Sequence, residues 1–247
     1  MSAPLNNRQA VILAGGRGTR LRPYTMVLPK PLVPIGERPI LEIIVRQLRE
    51  HGFTNLVFAV NHMAELVRSF FGDGSKWGTR ITYSLEDEPM GTAGPIGLLE
   101  DLQENFLVMN GDVLTDIDYG DLMRVHMEKQ PIATVATCIK KVPISLGVLD
   151  VSPEQRLVGY TEKPVLQYCV SMGIYILNRR ILQYIARDRY LDLPNLMQTL
   201  IQKGEAIHCY DYHGRWLDIG NPGDLQEAVA EFERSSHGFL NEPPAAE

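Results

Sequence analysis

The sequence predicts an α/β fold: a doubly wound, mostly parallel sheet carrying an added lobe of strands. Three observations lead there. Short apolar runs alternate with helical periods through the first half of the chain. Strand-like runs separated mainly by turns dominate the second half. The first apolar run opens into a loop of glycines and arginines, at the strand end where α/β sheets hold their ligands.

Taken in order, Ala10–Ala14 is a continuous apolar run and reads as a buried strand. Pro39–His51 has apolar residues at 40, 41, 43, 44, 45 and 48, a helical period, and Gly52 stops it. Asn55–Val60 is the next strand, Met63–Phe71 an amphipathic helix ended by Gly72, and Arg80–Ser84 an alternating strand. Pro95–Leu102 suits a short helix with Pro95 in its first turn. Phe106–Met109 is a strand running into Asn110-Gly111-Asp112, and Leu122–Lys129 is helical. Ile132–Ile139, Leu146–Val151, Arg156–Tyr160 and Val170–Leu177 are strand-like. Helical spacing returns at Arg179–Arg187 and Leu193–Gln202, and Ala206–Tyr210 is a strand. Asn221-Pro222 opens a last helix, Asn as N-cap and Pro in first position, to about Arg234. Residues 235–247 are polar, rich in Pro and Ala, and read as a flexible tail. With no repeat and no linker, residues 1–234 form a single domain.

Composition bounds the partners. The 247 residues are 45% hydrophobic and 22% charged, enough for a sizeable core. A net charge of -6 argues against a nucleic-acid surface. No apolar run approaches the roughly 18 residues of a spanning helix. The N-terminus MSAPLNNRQ has no signal-peptide core, so a cytoplasmic protein away from membranes is expected. Cys138, Cys169 and Cys209 are expected as buried free thiols without zinc spacing. The six histidines show no ligand spacing and read as surface or satisfied core groups.

The stretch Ala10–Thr25, AVILAGGRGTRLRPYT, carries the chemistry. Glycines let backbone N–H groups approach phosphate oxygens, and the expected grammar is strand, glycine loop, helix. No Gly-Lys-Ser/Thr of the Walker type is present. The dinucleotide fingerprint fails too, because Leu21 stands where the last glycine belongs. Arg17, Arg20, Arg22 and Lys30 supply more positive charge than a dinucleotide's pyrophosphate requires, so a nucleoside triphosphate fits better.

Leu13 to Pro23, followed by Pro29-Lys30-Pro31-Leu32, resembles the signature of sugar-1-phosphate nucleotidyltransferases, the nucleotide-sugar pyrophosphorylases. Gly91-Thr92-Ala93-Gly94-Pro95, Asn110-Gly111-Asp112, Glu162-Lys163-Pro164, Gly173-Ile174-Tyr175 and Trp216-Leu217-Asp218-Ile219-Gly220 follow in the family's order. The resemblance implies the nucleotide-diphospho-sugar transferase fold, a Rossmann-like sheet with a sugar-binding β lobe. The nucleotide part would span about 8–130 and the sugar part about 131–220. The implied reaction joins an NTP to a sugar 1-phosphate, giving an NDP-sugar for a surface glycan and releasing pyrophosphate. The run Glu88 to Pro95 looks closest to guanylyltransferases acting on mannose or heptose 1-phosphate.

The resemblance also assigns roles. Ala14, Gly15, Gly16, Gly18 and Thr19 would bind the nucleotide with Glu88, Gly91, Thr92 and Gly111. Asp87 offers a further polar contact there. Arg20 would hold the triphosphate and stabilise the leaving pyrophosphate, Lys30 would add charge, and Asp112 with Asp218 would hold Mg²⁺. Lys163 would grip the sugar phosphate, Glu162 the sugar hydroxyls, and Gly147 would admit the sugar. Leu146 replaces the tyrosine many relatives carry before that glycine. Asp192 is either a sugar ligand or the cap of the next helix, and Asn178 is read as a cap rather than a sugar ligand. The chain ends too soon for the hexapeptide β-helix some relatives append, and a homo-oligomer stays open. Other bases, a catalytically silent nucleotide-sugar sensor and a dinucleotide oxidoreductase are the competing readings. Arg20, Lys30, Asp112, Lys163 and Asp218 together weigh against the sensor.

Overall fold

A computed structural model describes residues 7–86, 88–187 and 189–240. The strands are β1 (Arg8–Leu13), β2 (Pro34–Ile35), β3 (Arg38–Pro39), β4 (Phe53–Val60), β5 (Arg80–Leu85), β6 (Asn105–Asn110) and β7 (Val113–Thr115), then β8 (Ala133–Pro143), β9 (Val148–Val151), β10 (Leu157–Thr161), β11 (Val165–Asn178), β12 (Ile207–Asp211) and β13 (Trp216–Asp218). The helices are α1 (Ile40–Glu50), α2 (Ala64–Phe71), α3 (Tyr119–Lys129), α4 (Leu193–Gln202) and α5 (Pro222–Phe239). No described helix is long and apolar enough to cross a membrane.

Seven strands form one sheet in the order β12-β8-β11-β6-β1-β4-β5. β5, β4, β1 and β6 run parallel. β11 lies antiparallel between β6 and β8, and β12 runs parallel to β8 at the edge. The central strands are apolar throughout because both sheet faces are buried. Ala10, Ile12, Leu107 and Met109 point into one core, where they meet Ile44 of α1, Leu122 of α3 and Ala228 of α5. Val11, Phe106 and Val108 point into the other, against Leu196 of α4 and Ile96 and Ile181 of two 3₁₀ turns. The fold is thus doubly wound, as the alternating runs predict.

This order positions the site. From β1 the chain crosses to β4 on one side, then returns to β6 on the other. The carboxyl ends of β1 and β6 therefore part at a topological switch point, the ligand crevice of open α/β sheets. A bond from Gly111 N–H to Leu13 O, 2.9 Å, ties the two loop mouths together.

Several elements depart from expectation. The helices expected at 95–102 and 179–187 are 3₁₀ turns over Gly94–Leu98 and Arg179–Tyr184. The second is capped by Asn178, whose side chain accepts from Arg180 N–H. β11 begins at Val165, ahead of the expected Val170, because its first half is an exposed arm without a core-facing signature. The last helix does open on Asn221. Its Oδ1 accepts from Gly223 and Asp224 N–H, and Asp224 Oδ2 accepts Asn221 N–H in return. That helix runs past Arg234 to Phe239, which is buried with Leu240 and stacks on Phe232. Residues 235–240 are therefore not tail, and 241–247 lie outside the described residues. Of the cysteines only Cys138 is buried; Cys169 sits on the exposed arm and Cys209 on the edge strand, so both face solvent.

Candidate active site

The loop after β1 is held by local chemistry. Gly18 has φ +59°, and a Cβ there would meet Thr25 Cγ2 at 2.8 Å and Lys30 Cβ at 3.2 Å. The Thr25 hydroxyl donates to Gly18 O at 2.7 Å and closes the turn. A single 3₁₀ turn, Thr19–Leu21, follows in place of the expected helix. An anion would therefore meet loop N–H groups and Arg20, not a helix dipole. Ala14, Gly16, Gly18, Thr19 and Arg20 line a pocket of about 270 Å³, closed on the far side by Lys30, Gly111 and Asp112.

Lys30 and Asp112 form an ion pair through Asp112 Oδ2, with side chains 13% and 21% exposed. Asp112 Oδ1 is buried and accepts no hydrogen bond. β7 and β13 pair antiparallel, with Asp218 opposite Val113, and Ile219 N–H donates to Asp112 O at 3.0 Å. Asp218 thus stands beside Asp112. Burial, and next the charge of Asp112, push its carboxyl above the usual range, while Lys30 and Arg20 pull it back. Asp218 opens onto a neighbouring cleft that it shares with Trp216 and Lys140. Arg20 leans on Gly220, whose added Cβ would lie 3.5 Å from its Nη2. Among the described residues no three His, Cys, Asp or Glu side chains converge as metal ligands, so the candidate set is this pair.

A second pocket of about 360 Å³ adjoins the first, lined by Gly15, Gly16, Gly91, Thr92, Asp112 and Asp192 together with Asn61 and Glu86. Asp192 does not cap α4 with its side chain. Its Oδ1 accepts Thr92 N–H at 3.1 Å and its Oδ2 the Tyr190 hydroxyl at 2.8 Å. Thr92 Oγ1 accepts Leu193 N–H at 2.7 Å in exchange. Glu88 is exposed and off this pocket; the carboxylate that lines it is Glu86, two residues earlier and buried. Asp87 lies outside the described residues.

Gly147, Glu162 and Lys163 gather at the β9–β10 hairpin. Lys163 Nζ is 3.7 Å from Glu162 Oε1, and both side chains are exposed. The Tyr160 hydroxyl donates to Glu162 Oε2 at 2.9 Å and fills the space a Gly147 Cβ would take. The aromatic at this glycine thus comes from β10, while Leu146 is solvent-exposed. Tyr160 was detectable in the sequence, since strand alternation puts residues 160 and 162 on one face. None of the three lines either pocket.

The sequence model described as nucleotidyl transferase matches residues 9–235. A UTP--glucose-1-phosphate uridylyltransferase of Synechocystis sp. is 33% identical, over 90% of this chain and 62% of its own length. Mannose-1-phosphate guanyltransferases of Yarrowia lipolytica and Schizosaccharomyces pombe are 34% and 35% identical, over 88% and 87% of this chain and 62% of theirs. The chain thus spans 62% of the length of these curated relatives. Among solved structures, a "Putative Glucose-1-Phosphate Thymidylyltransferase" from Bacillus anthracis in complex with a sucrose superposes with TM-score 0.74 at 27% identity, covering 90% of this chain and 94% of that one. HddC from Yersinia pseudotuberculosis, at 23% identity and TM-score 0.71, shares the fold; the match covers 91% of this chain and 99% of that one.

Proposed function

The chain belongs to the nucleotidyl transferase family, and from that premise we propose that it transfers a nucleoside monophosphate from an NTP to a sugar 1-phosphate. Residues 8–130 would serve the nucleotide and 131–220 the sugar, within one domain. The observation that carries the reading is the pairing at the switch point of a cationic glycine loop with two adjoining carboxylates.

The chemistry joins two anions. An oxygen of the sugar phosphate forms a bond to the α-phosphorus while the α–β bridging bond breaks and pyrophosphate leaves. The attacking oxygen is already ionised, so no proton needs removing, and the protein's task is positioning and neutralisation. Loop N–H groups and the Arg20 fork would hold the triphosphate and take up charge on the departing pyrophosphate. Lys30, already anchored by Asp112, brings its ammonium to the same pocket. Lys163 would grip the sugar phosphate, with Glu162 and Tyr160 beside it for hydroxyls.

Asp112 Oδ1, buried without a donor, and the neighbouring Asp218 form a hard oxygen set that fits Mg²⁺. When bound, the ion would lower the charge on the phosphate oxygens as a Lewis acid. The relatives' printed names divide over the base: uridylyl, guanyl and, for the solved structure, thymidylyl. GTP with mannose or heptose 1-phosphate is the pairing to try first.

The deciding experiment crosses several NTPs with a panel of sugar 1-phosphates and measures pyrophosphate release. Release in at least one combination, dependent on a divalent cation, is expected. Silence in every combination would return the chain to the sensor reading.

A further inference from the structure

Gly147 is small for a reason its backbone does not give. Its φ is not left-handed, so its own conformation would accept an L side chain. A Cβ there would overlap the Tyr160 hydroxyl, lie 2.6 Å from Tyr160 Cζ and stand 3.1 Å from Glu162 Oε2. The phenol thus occupies this side of the glycine, at the start of the β9–β10 ladder, in which Leu149 faces Tyr160 and Val148 faces Thr161. The corner behind Glu162 is fixed. Lys163 takes a left-handed φ of +46°, uncommon for a residue with a Cβ, and Ile144 N–H donates to Pro164 O at 2.9 Å. What can still move is the Glu162 side chain. Its Oε1 lies 3.7 Å from Lys163 Nζ, and both side chains are exposed. Such a pair restrains little. The Tyr160 hydroxyl, donating to Oε2 at 2.9 Å, is the firmer hold.

We propose that Gly147 is glycine in order to seat the Tyr160 phenol, and that Tyr160 is a positioning residue that holds Glu162 ready for the hydroxyls of the sugar 1-phosphate. This rests on the transferase reading, with residues 147, 162 and 163 at its sugar end. A carboxylate swinging in water must be ordered before it can accept sugar hydroxyls, and that ordering subtracts from affinity. Tyr160 does the ordering in advance. It uses one lone pair of Oε2 and leaves the remaining acceptor sites of the carboxylate to the sugar. Leu146 has no donor with which to take this part, and it is 71% exposed. The contact is made away from the reacting phosphorus, in ground state and transition state alike. Its loss therefore weakens sugar binding and leaves the chemical step unchanged.

The test compares steady-state constants for the sugar 1-phosphate that releases most pyrophosphate. Tyr160→Phe is expected to raise KM for that sugar about tenfold, with kcat and the KM for NTP unchanged. In a Glu162→Ala background the same change should add nothing, because no carboxylate is left to hold. Gly147→Ala should raise the sugar KM about tenfold in wild type and have no effect beside Tyr160→Ala, where the seat is vacant. An unchanged sugar KM in Tyr160→Phe overturns the proposal. So does a Tyr160→Phe penalty that persists without Glu162. A Gly147→Ala penalty that persists without Tyr160 overturns it too, since the glycine would then admit the sugar itself. If Gly147→Ala does not fold, the Tyr160–Glu162 cycle alone decides. Failure of the transferase reading looks different: wild type releases no pyrophosphate with any sugar 1-phosphate, and the proposal falls with it.

Discussion

Two glycines in one loop make opposite predictions when each becomes alanine. Gly18 is left-handed, which costs an L-residue about 1–2 kcal/mol. Its new Cβ would also lie 2.8 Å from Thr25 Cγ2 and 3.2 Å from Lys30 Cβ. Relieving such overlap in a packed site costs about 1–3 kcal/mol more. Together these give about 2–5 kcal/mol, and a chain of this size loses about 2–4 °C of Tm per kcal/mol. Gly18→Ala should therefore melt on the order of 10 °C below wild type. Gly16 has nothing within 4 Å of its virtual Cβ, so Gly16→Ala should melt as wild type does. Gly16 nonetheless lines both pockets, and a methyl there stands where phosphate oxygens would lie. Its NTP affinity should drop by about tenfold or more, since close backbone approach is what a glycine loop offers. Scanning fluorimetry and calorimetry read the two effects separately. A Gly18→Ala protein that melts with wild type removes the strain argument. A Gly16→Ala protein that binds NTP unchanged removes the phosphate from this loop.

Asp112→Asn should lose at least about a hundredfold in pyrophosphate release while still melting cooperatively, as for removal of a group that acts on the reacting charges; a chelator should stop the wild-type reaction and Mg²⁺ restore it, and wild-type turnover in the variant would take Asp112 out of the site. His126 is buried between Thr134 Oγ1 and Asn105 Oδ1, and burial lowers its pKa to about 4. Its folded value lies below its unfolded one, so its contribution is full above about pH 6.5 and is lost as pH falls toward 4, on the order of 3 kcal/mol in all. Urea midpoints at pH 7 and pH 5 should fall further apart in wild type than in His126→Gln, and equal gaps would contradict the assignment. Phe239→Ala should cost about 3–5 kcal/mol, because the ring is buried against Phe232; a variant with unchanged Tm would restore the tail reading.

What the sequence carried was whatever repeats with a period or a motif. α1 and α4 announce themselves through their apolar faces, and β1, β4 and β6 through unbroken apolar runs. The loop residues, Asp112 and Asp218 were legible because glycine, arginine and aspartate stand at strand ends in a known order. Other features were hidden for physical reasons. Gly94–Leu98 and Arg179–Tyr184 are 3₁₀ turns, and over one turn the two helix types share nearly the same apolar spacing. β7 and β13 have three residues each and exist only through mutual pairing across the chain, which no local window contains. Glu86 carries no sequence signal because its inward turn depends on where β5 ends; the structure ends that strand at Leu85, which buries Glu86 and leaves Glu88 exposed.

The β7–β13 ladder, which no local window of sequence contains, sets the electrostatics of this corner of the crevice. It brings the exposed Asp218 beside Asp112, whose Oδ2 is already paired with Lys30. Lys30 satisfies one oxygen of Asp112 and leaves the other orphaned. This corner of the crevice therefore has an unmet demand for a cation. Beside it, the glycine loop with Arg20 presents N–H donors and a guanidinium that only the charge of Asp218 reaches across the crevice, a demand of opposite sign. A lone divalent ion would satisfy the first and be repelled by the second; a bare triphosphate would do the reverse. A polyphosphate carrying its divalent ion meets both at once, and its α-phosphate would then lie between the groups that hold the ion and those that draw off the leaving charge.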